Sequence, residues 1–156
     1  MATTVRVEVK GLRELGQALS ELSADVQKKV ANSAVQAGAA VIRDAAKRKA
    51  PVSSPADTPE VPPGYLRDNI IARRNRKKGN YTAQYAVTVR HNGKKADLRE
   101  DETNPYQIGI FNEFGTVKMG AQPFMRPAFD ETKQQAVGAI QKRLKQRIDR
   151  ANRKAR

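Results

Sequence analysis

"GIFNEFGTVKMGAQPFMRPAFDE", residues 109–131, holds all four phenylalanines of the chain, Phe111, Phe114, Phe124 and Phe129, set among glycines and prolines. No single helix or strand is written this way. Gly115-Thr116 ends a short helix and "QPFMRP" leads into another. Pro127 suits a first helical position, where its missing N–H costs nothing. The expectation is that the phenylalanines close one end of a core over a sheet, at least two of them buried, with Glu113 at the margin of the apolar cluster. The intervening "TVKMGAQ", with Lys118 and Met119, reads as a flexible loop able to adapt to a neighbour.

Downstream, Phe129, Thr132, Ala136, Ile140, Leu144 and Ile148 advance by three or four, the buried stripe of a C-terminal helix. Its other face is basic, and residues 149–156 read as a basic tail that frays. Upstream, "YTAQYAVTVR" alternates Ala83, Tyr85, Val87 and Val89 on one face, a strand. "YLRDNI" reads as a short helical turn into a second strand, "IIARRNR", and the two strands make a hairpin. Residues 51–64, "PVSSPADTPEVPPG", hold five prolines and form a loop. "HNGKKADLREDETN" is a second polar loop.

Leu12, Leu15, Leu19 and Leu22 recur at helical spacing, and Val26, Val30, Ala34, Ala37, Val41 and Ala45 extend the pattern until Pro51 stops it. One helix over 12–49 would be about 57 Å long at 1.5 Å per residue. A compact chain of this size has a radius of gyration of about 15 Å. With Ser23 and Asp25 as candidate caps, a short helix followed by a long one is expected. The alanines and Gly38 of the second helix let another backbone come close, within the subunit or across an interface. Val5, Val7 and Val9 alternate with charge as an N-terminal strand. The whole is a single domain, residues 1–156, of α+β class: a small antiparallel sheet packed against a long helix and a C-terminal helix, with long loops.

Lys and Arg number 30 against 16 Asp and Glu, a formal net charge of +14. The excess gathers in "RRNRKK" (73–78) and "KRLKQRIDRANRKAR" (142–156), while "DLREDE" (97–102) is acidic. Such a balance points to an acidic partner, nucleic acid or protein. Cysteine is absent, which excludes disulfides and thiolate metal sites. No apolar run approaches a membrane span and no signal peptide opens the chain, so synthesis in the cytoplasm is expected.

Catalysis finds little support. His91 is the one histidine, beside Asn92-Gly93, and no G-x-S-x-G elbow offers it a serine. Asp97, Glu100, Asp101 and Glu102 lack the regular spacing of a cation loop. Glycines 109, 115 and 120 do not make a phosphate-binding loop. No enzyme, metal or cofactor is expected.

"FNEFGT" followed by "QPFMRPAF" resembles the signature of a tailed-phage family of tail-component or neck proteins. "AKRKAPV", a loop, and "GYLRDNI" match its other hallmark, and "VEVKGLRELGQALSEL" is similar to its opening. Two departures are the long proline-rich insert and the basic segment after Ile148. The resemblance implies a structural virion protein acting in head–tail joining and tail completion. Copies would form a ring between head connector and tail, a hexamer or, alternatively, twelve copies, with genomic DNA passing through it. Its neighbours would be a head-completion or connector protein and a tail terminator or tube protein.

On this reading Phe111, Glu113, Phe114, Gly115, Thr116, Met119, Phe124 and Arg126 are assigned to the subunit or partner interface. Arg73, Arg74, Arg76, Lys77, Lys78, Arg143, Arg147 and Arg150 are assigned to DNA or acidic partners. The rival classes are a basic nucleic-acid-binding protein and a small hydrolase of phage origin.

Overall fold

The computed structural model describes residues 11–52, 61–75, 83–91 and 104–154. The expected strand at Val5–Val9, most of the proline-rich loop, the hairpin tip with Arg76, Lys77 and Lys78, and the acidic loop lie outside these residues.

The leucine run breaks where the cap residues suggest. Helix α1 spans Leu12–Ser20 and α2 spans Ala24–Lys49, with Ser23 extended between them. The Ser23 side chain makes no capping bond. Gln27 secures the corner instead, its amide donating to the carbonyls of Ser20 (3.2 Å) and Leu22 (2.7 Å). The Ser20 carbonyl is one that the end of α1 would leave unpaired, and Leu22 lies in the turn just beyond. At the far end of α2, Lys47, Arg48 and Lys49 complement the helix C-terminus before Pro51.

Helix α3 (Tyr65–Asp68) delivers the chain into β1 (Ile70–Arg74), which pairs antiparallel with β2 (Tyr85–Val89). The register sets Ile70 opposite Val89 and Arg74 opposite Tyr85. Helix α4 covers Pro105–Phe114 and α5 covers Met125–Lys154. The protein is α+β.

Helices α2 and α5 run antiparallel and divide the core in two. At one end Ala45, Ala46 and Ala50 meet Leu66, Ile70, Val89, Phe124 and Ala128. At the other, Val30 and Ala34 meet Leu144 and Ile148, with Leu15, Leu19 and Leu22 of the α1 segment packed alongside. Between them Gly38 faces Ile140; a Cβ there would sit 2.6 Å from Ile140 Cγ1 and 3.0 Å from the Ala136 carbonyl oxygen. The small-residue face of α2 therefore serves a contact within the subunit.

Three expectations need correction. Of the four phenylalanines only Phe124 is buried; Phe111, Phe114 and Phe129 are 38%, 63% and 51% exposed. The buried stripe of α5 steps back from Thr132 to Ala128 rather than to Phe129. Gly109 explains the exposure on α4, because its missing side chain brings the helix onto β2, where a Cβ would lie 2.8 Å from Val89 Cγ2. Phe111 and Phe114, two and five residues on, turn by about 200° and 140° from that face at 100° per residue. Finally, residues 149–154 continue α5 rather than forming a tail. Arg, Lys and Ala favour helix there, and cations suit its C-terminus.

Candidate assembly interface

The junction of α4 with α5 is organised by Glu113. One carboxylate oxygen accepts the backbone N–H of Phe124 (2.8 Å) and of Met125 (2.9 Å); the other accepts that of Arg126 (3.2 Å). Proline at 127 has no N–H to satisfy, and Ala128 begins the helical ladder by donating to the Phe124 carbonyl (3.2 Å). A helix starts with four unpaired N–H groups. Here one carboxylate takes three and the chain omits the fourth. Pro127 thus stands at the third position of α5, not the first, and serves the same purpose there.

The carboxylate is nearly enclosed, its side chain 8% exposed. Burial alone would raise its pKa, but the three N–H donors and the Arg126 charge outweigh that and hold it below the ordinary value. The Arg126 guanidinium lies 3.9 Å from the carboxylate and 5.2 Å from the centre of the Phe114 ring. Glu113 is therefore a helix cap and not a bystander beside an apolar cluster.

The turn between the helices is closed on itself. Gly115 adopts φ 77°, and a Cβ there would meet Ala121 N at 2.9 Å. Thr116 and Met119 exchange backbone hydrogen bonds, and the Thr116 hydroxyl accepts the N–H groups of Lys118 and Met119. Gln122 N–H donates to the Asn112 carbonyl at 2.7 Å. Where the sequence reads as an adaptable loop, the structure shows a hydrogen-bonded turn.

Around this clasp Phe111, Phe114, Val117, Met119 and Phe129 remain substantially exposed. The structure thus brings Phe111, Glu113, Phe114, Gly115, Thr116, Met119 and Arg126 into one region. Phe124 belongs to the core beneath it. Beside it an apolar groove of about 540 Å³ runs between α2, β2 and α5, lined among others by Ile42, Tyr85, Val87 and Phe129.

The basic residues gather elsewhere. Arg73 and Arg74 are exposed at the end of β1, and Arg143, Arg147 and Arg150 on α5. A groove of about 850 Å³ brings Arg74 together with Arg147 and Arg150 and adds Lys28, Lys29 and Lys154. Arg73 and Arg143 stand outside its lining. Arg147 Nε donates to Ser33 Oγ at 3.0 Å, fixing the arginine against α2. Sequence reasoning missed Lys28, Lys29 and Ser33. Their signal was the polar stripe Asp25, Lys28, Lys29, Asn32, Ser33 and Gln36, recurring by three and four along α2.

The architecture is that of a small α+β protein with an internally capped helix junction, an apolar rim beside it, and a cationic groove at the other end of the same helix pair. Residues 13–115 match the HK97-gp10-like family, described as "Bacteriophage HK97-gp10, putative tail-component", and the chain belongs to that family. It is a phage tail component, a protein of the virion. The match takes in "AKRKAP", "GYLRDNI" and "FNEFG"; "QPFMRPAF" lies beyond it. No curated protein and no solved structure matches the chain. Among the described residues no helix is long and apolar enough to cross a membrane.

Proposed function

We propose that the protein is a structural, non-catalytic component of the head–tail junction, forming a ring that joins the head connector to the tail. Six copies match the usual symmetry of a tail, with twelve as the alternative, and genomic DNA passes through the centre. The observation that carries this reading, beyond family membership, is the apolar rim held in place by the Glu113 clasp. Phe114 and Val117, 63% and 107% exposed, are costly to leave in water unless a partner covers them. Most of the positive charge faces protein partners or outer solvent, because DNA must slide through a neck and each phosphate contact adds grip.

Complementation of a phage lacking this gene, scored by electron microscopy, tests the placement. Full heads and separate tails in the mutant, restored to joined particles by the wild-type gene, are expected. Met119→Asp leaves the thermal unfolding of the purified chain unchanged but lowers the yield of joined particles. Normal joining by Met119→Asp removes the turn from the interface, and tails of aberrant length with normal joining remove the protein from the junction.

A further inference from the structure

The cationic groove has a chemistry that the apolar rim does not share. Among the described residues, Lys28, Lys29, Arg74, Arg147, Arg150 and Lys154 line it against one carboxylate, Asp25, a formal +5. None of the six is in an ion pair among the described residues, where the ion pairs are Arg43–Asp44, Lys49–Glu131, Arg67–Asp68, Arg126–Glu113 and Lys133–Asp130. Cations lining one groove give it a positive potential that favours an anionic occupant. At about 850 Å³ the groove has the size of a ligand cleft. A DNA duplex reads elements that protrude into its own grooves. A concavity suits an extended peptide better.

The chain carries a matching segment. "DLREDE", residues 97–102, sets Asp97, Glu100, Asp101 and Glu102 against Arg99, a formal −3 in a protein of +14. Within one copy the tether of this charge extends toward the near wall at Arg74, about 13 Å along the hairpin from Val89. It does not extend to the groove's floor at Ser33, about 20 Å along α2 from Ala46. Glu100, Asp101 and Glu102 lie within four residues of Asn104, a reach of at most about 14 Å. Asn104 opens α4, which is anchored at the Val89 end of the hairpin by Gly109 against Val89 and by the His91 and Tyr106 rings, 5.5 Å apart. The groove opens at the opposite end of the hairpin, at the Arg74–Tyr85 rung. Its Lys28 and Lys29 stand about 25 Å along α2 from Ala46, which packs beside Val89.

We propose that the cationic groove of one copy takes the acidic segment 97–102 of a neighbouring copy. This rests on the assembly reading above and makes the contact between copies head-to-tail, the kind that closes into a ring. Ser33 and Arg147, joined by a hydrogen bond, form the floor on which the neighbour's carboxylates sit.

The absence of cysteine makes the test direct. Ser33→Cys and Asp101→Cys chains, each full length, are mixed under oxidation at low salt. A mixed disulfide dimer, suppressed by high salt, is expected. Arg147→Glu/Arg150→Glu and, separately, Glu100→Lys/Asp101→Lys each weaken salt-sensitive self-association about tenfold, and the two variants mixed together recover it. A monomeric, internally linked product from a chain carrying both cysteines would overturn the assignment to a neighbour. So would a groove variant that loses binding to duplex DNA while self-association is unchanged, since nucleic acid would then be the occupant. Cross-linking is scored on purified chains and joining on particles. Failure of the first with normal joining sinks the groove proposal alone, and failure of the second with an intact cross-link sinks the junction.

Discussion

At the N-terminal end of α5 one carboxylate meets three backbone N–H groups and an arginine; at the C-terminal end Arg147, Arg150 and Lys154 share a groove in which Asp25 is the one acid among the described residues. The first end spends its charge inside the molecule. The second presents it outward. A buried charge is tolerated only when fully hydrogen-bonded, so Glu113 is a determinant of the fold. Exposed cations in a groove contribute little to stability, so they are free to serve association.

Substitutions sharpen this contrast, beginning beneath the clasp. Phe124→Ala removes a ring that is 1% exposed and costs about 4 kcal/mol in denaturant unfolding. Glu113→Gln keeps the shape but loses the charge and leaves at least one N–H without its acceptor, a cost of about 2 kcal/mol. Its pH dependence separates charge from packing. The folded carboxylate titrates below its unfolded value, so the stabilisation is complete above the ordinary carboxylate range. It falls as pH drops below that range and is lost once pH passes the depressed folded value. Glu113→Gln should therefore flatten the acid limb of the wild-type stability profile. An unchanged acid limb would show that the clasp charge contributes nothing.

Phe114→Ala loses the Arg126 contact over an exposed ring and costs about 1 kcal/mol or less by the same unfolding measurement. Arg150→Ala, in the groove, moves stability by no more than about 0.5 kcal/mol. A loss of several kcal/mol there would mean that the groove, like the clasp, is part of the scaffold.

Much of the scaffold was legible from local pattern. The helix break before Ala24, the turn of helix at Tyr65, the hairpin and the end of α4 at Gly115 all follow from spacing and from residues with fixed backbone preferences. The burial of the phenylalanines was not, because which face of α4 turns inward depends on a glycine meeting Val89, a contact between distant segments. Size and hydrophobicity pointed to Phe111 and Phe114; close approach selected Gly109. The cap on α5 was hidden for a related reason. A capping box places its acid inside the helix it caps, whereas Glu113 belongs to the preceding helix, eleven residues before Phe124. Arg74 and Arg150 looked like parts of two separate basic runs, and only the packing of the hairpin against the helix pair sets them in one groove.

The clasp also bears on the order in which the whole chain folds. Glu113 and its three donors are separated by eleven to thirteen residues, while the contact of Gly38 with Ile140 joins segments about a hundred residues apart. A loop of about ten residues closes in about 10–100 ns, and closure of a long one carries a larger entropic penalty. The α4–turn–α5 corner can therefore be in place before α2 arrives, its first turn already terminated and its direction set. The long antiparallel pairing then becomes the docking of one preformed unit on another, with Gly38 as the gauge that fixes how closely the two helices come to rest.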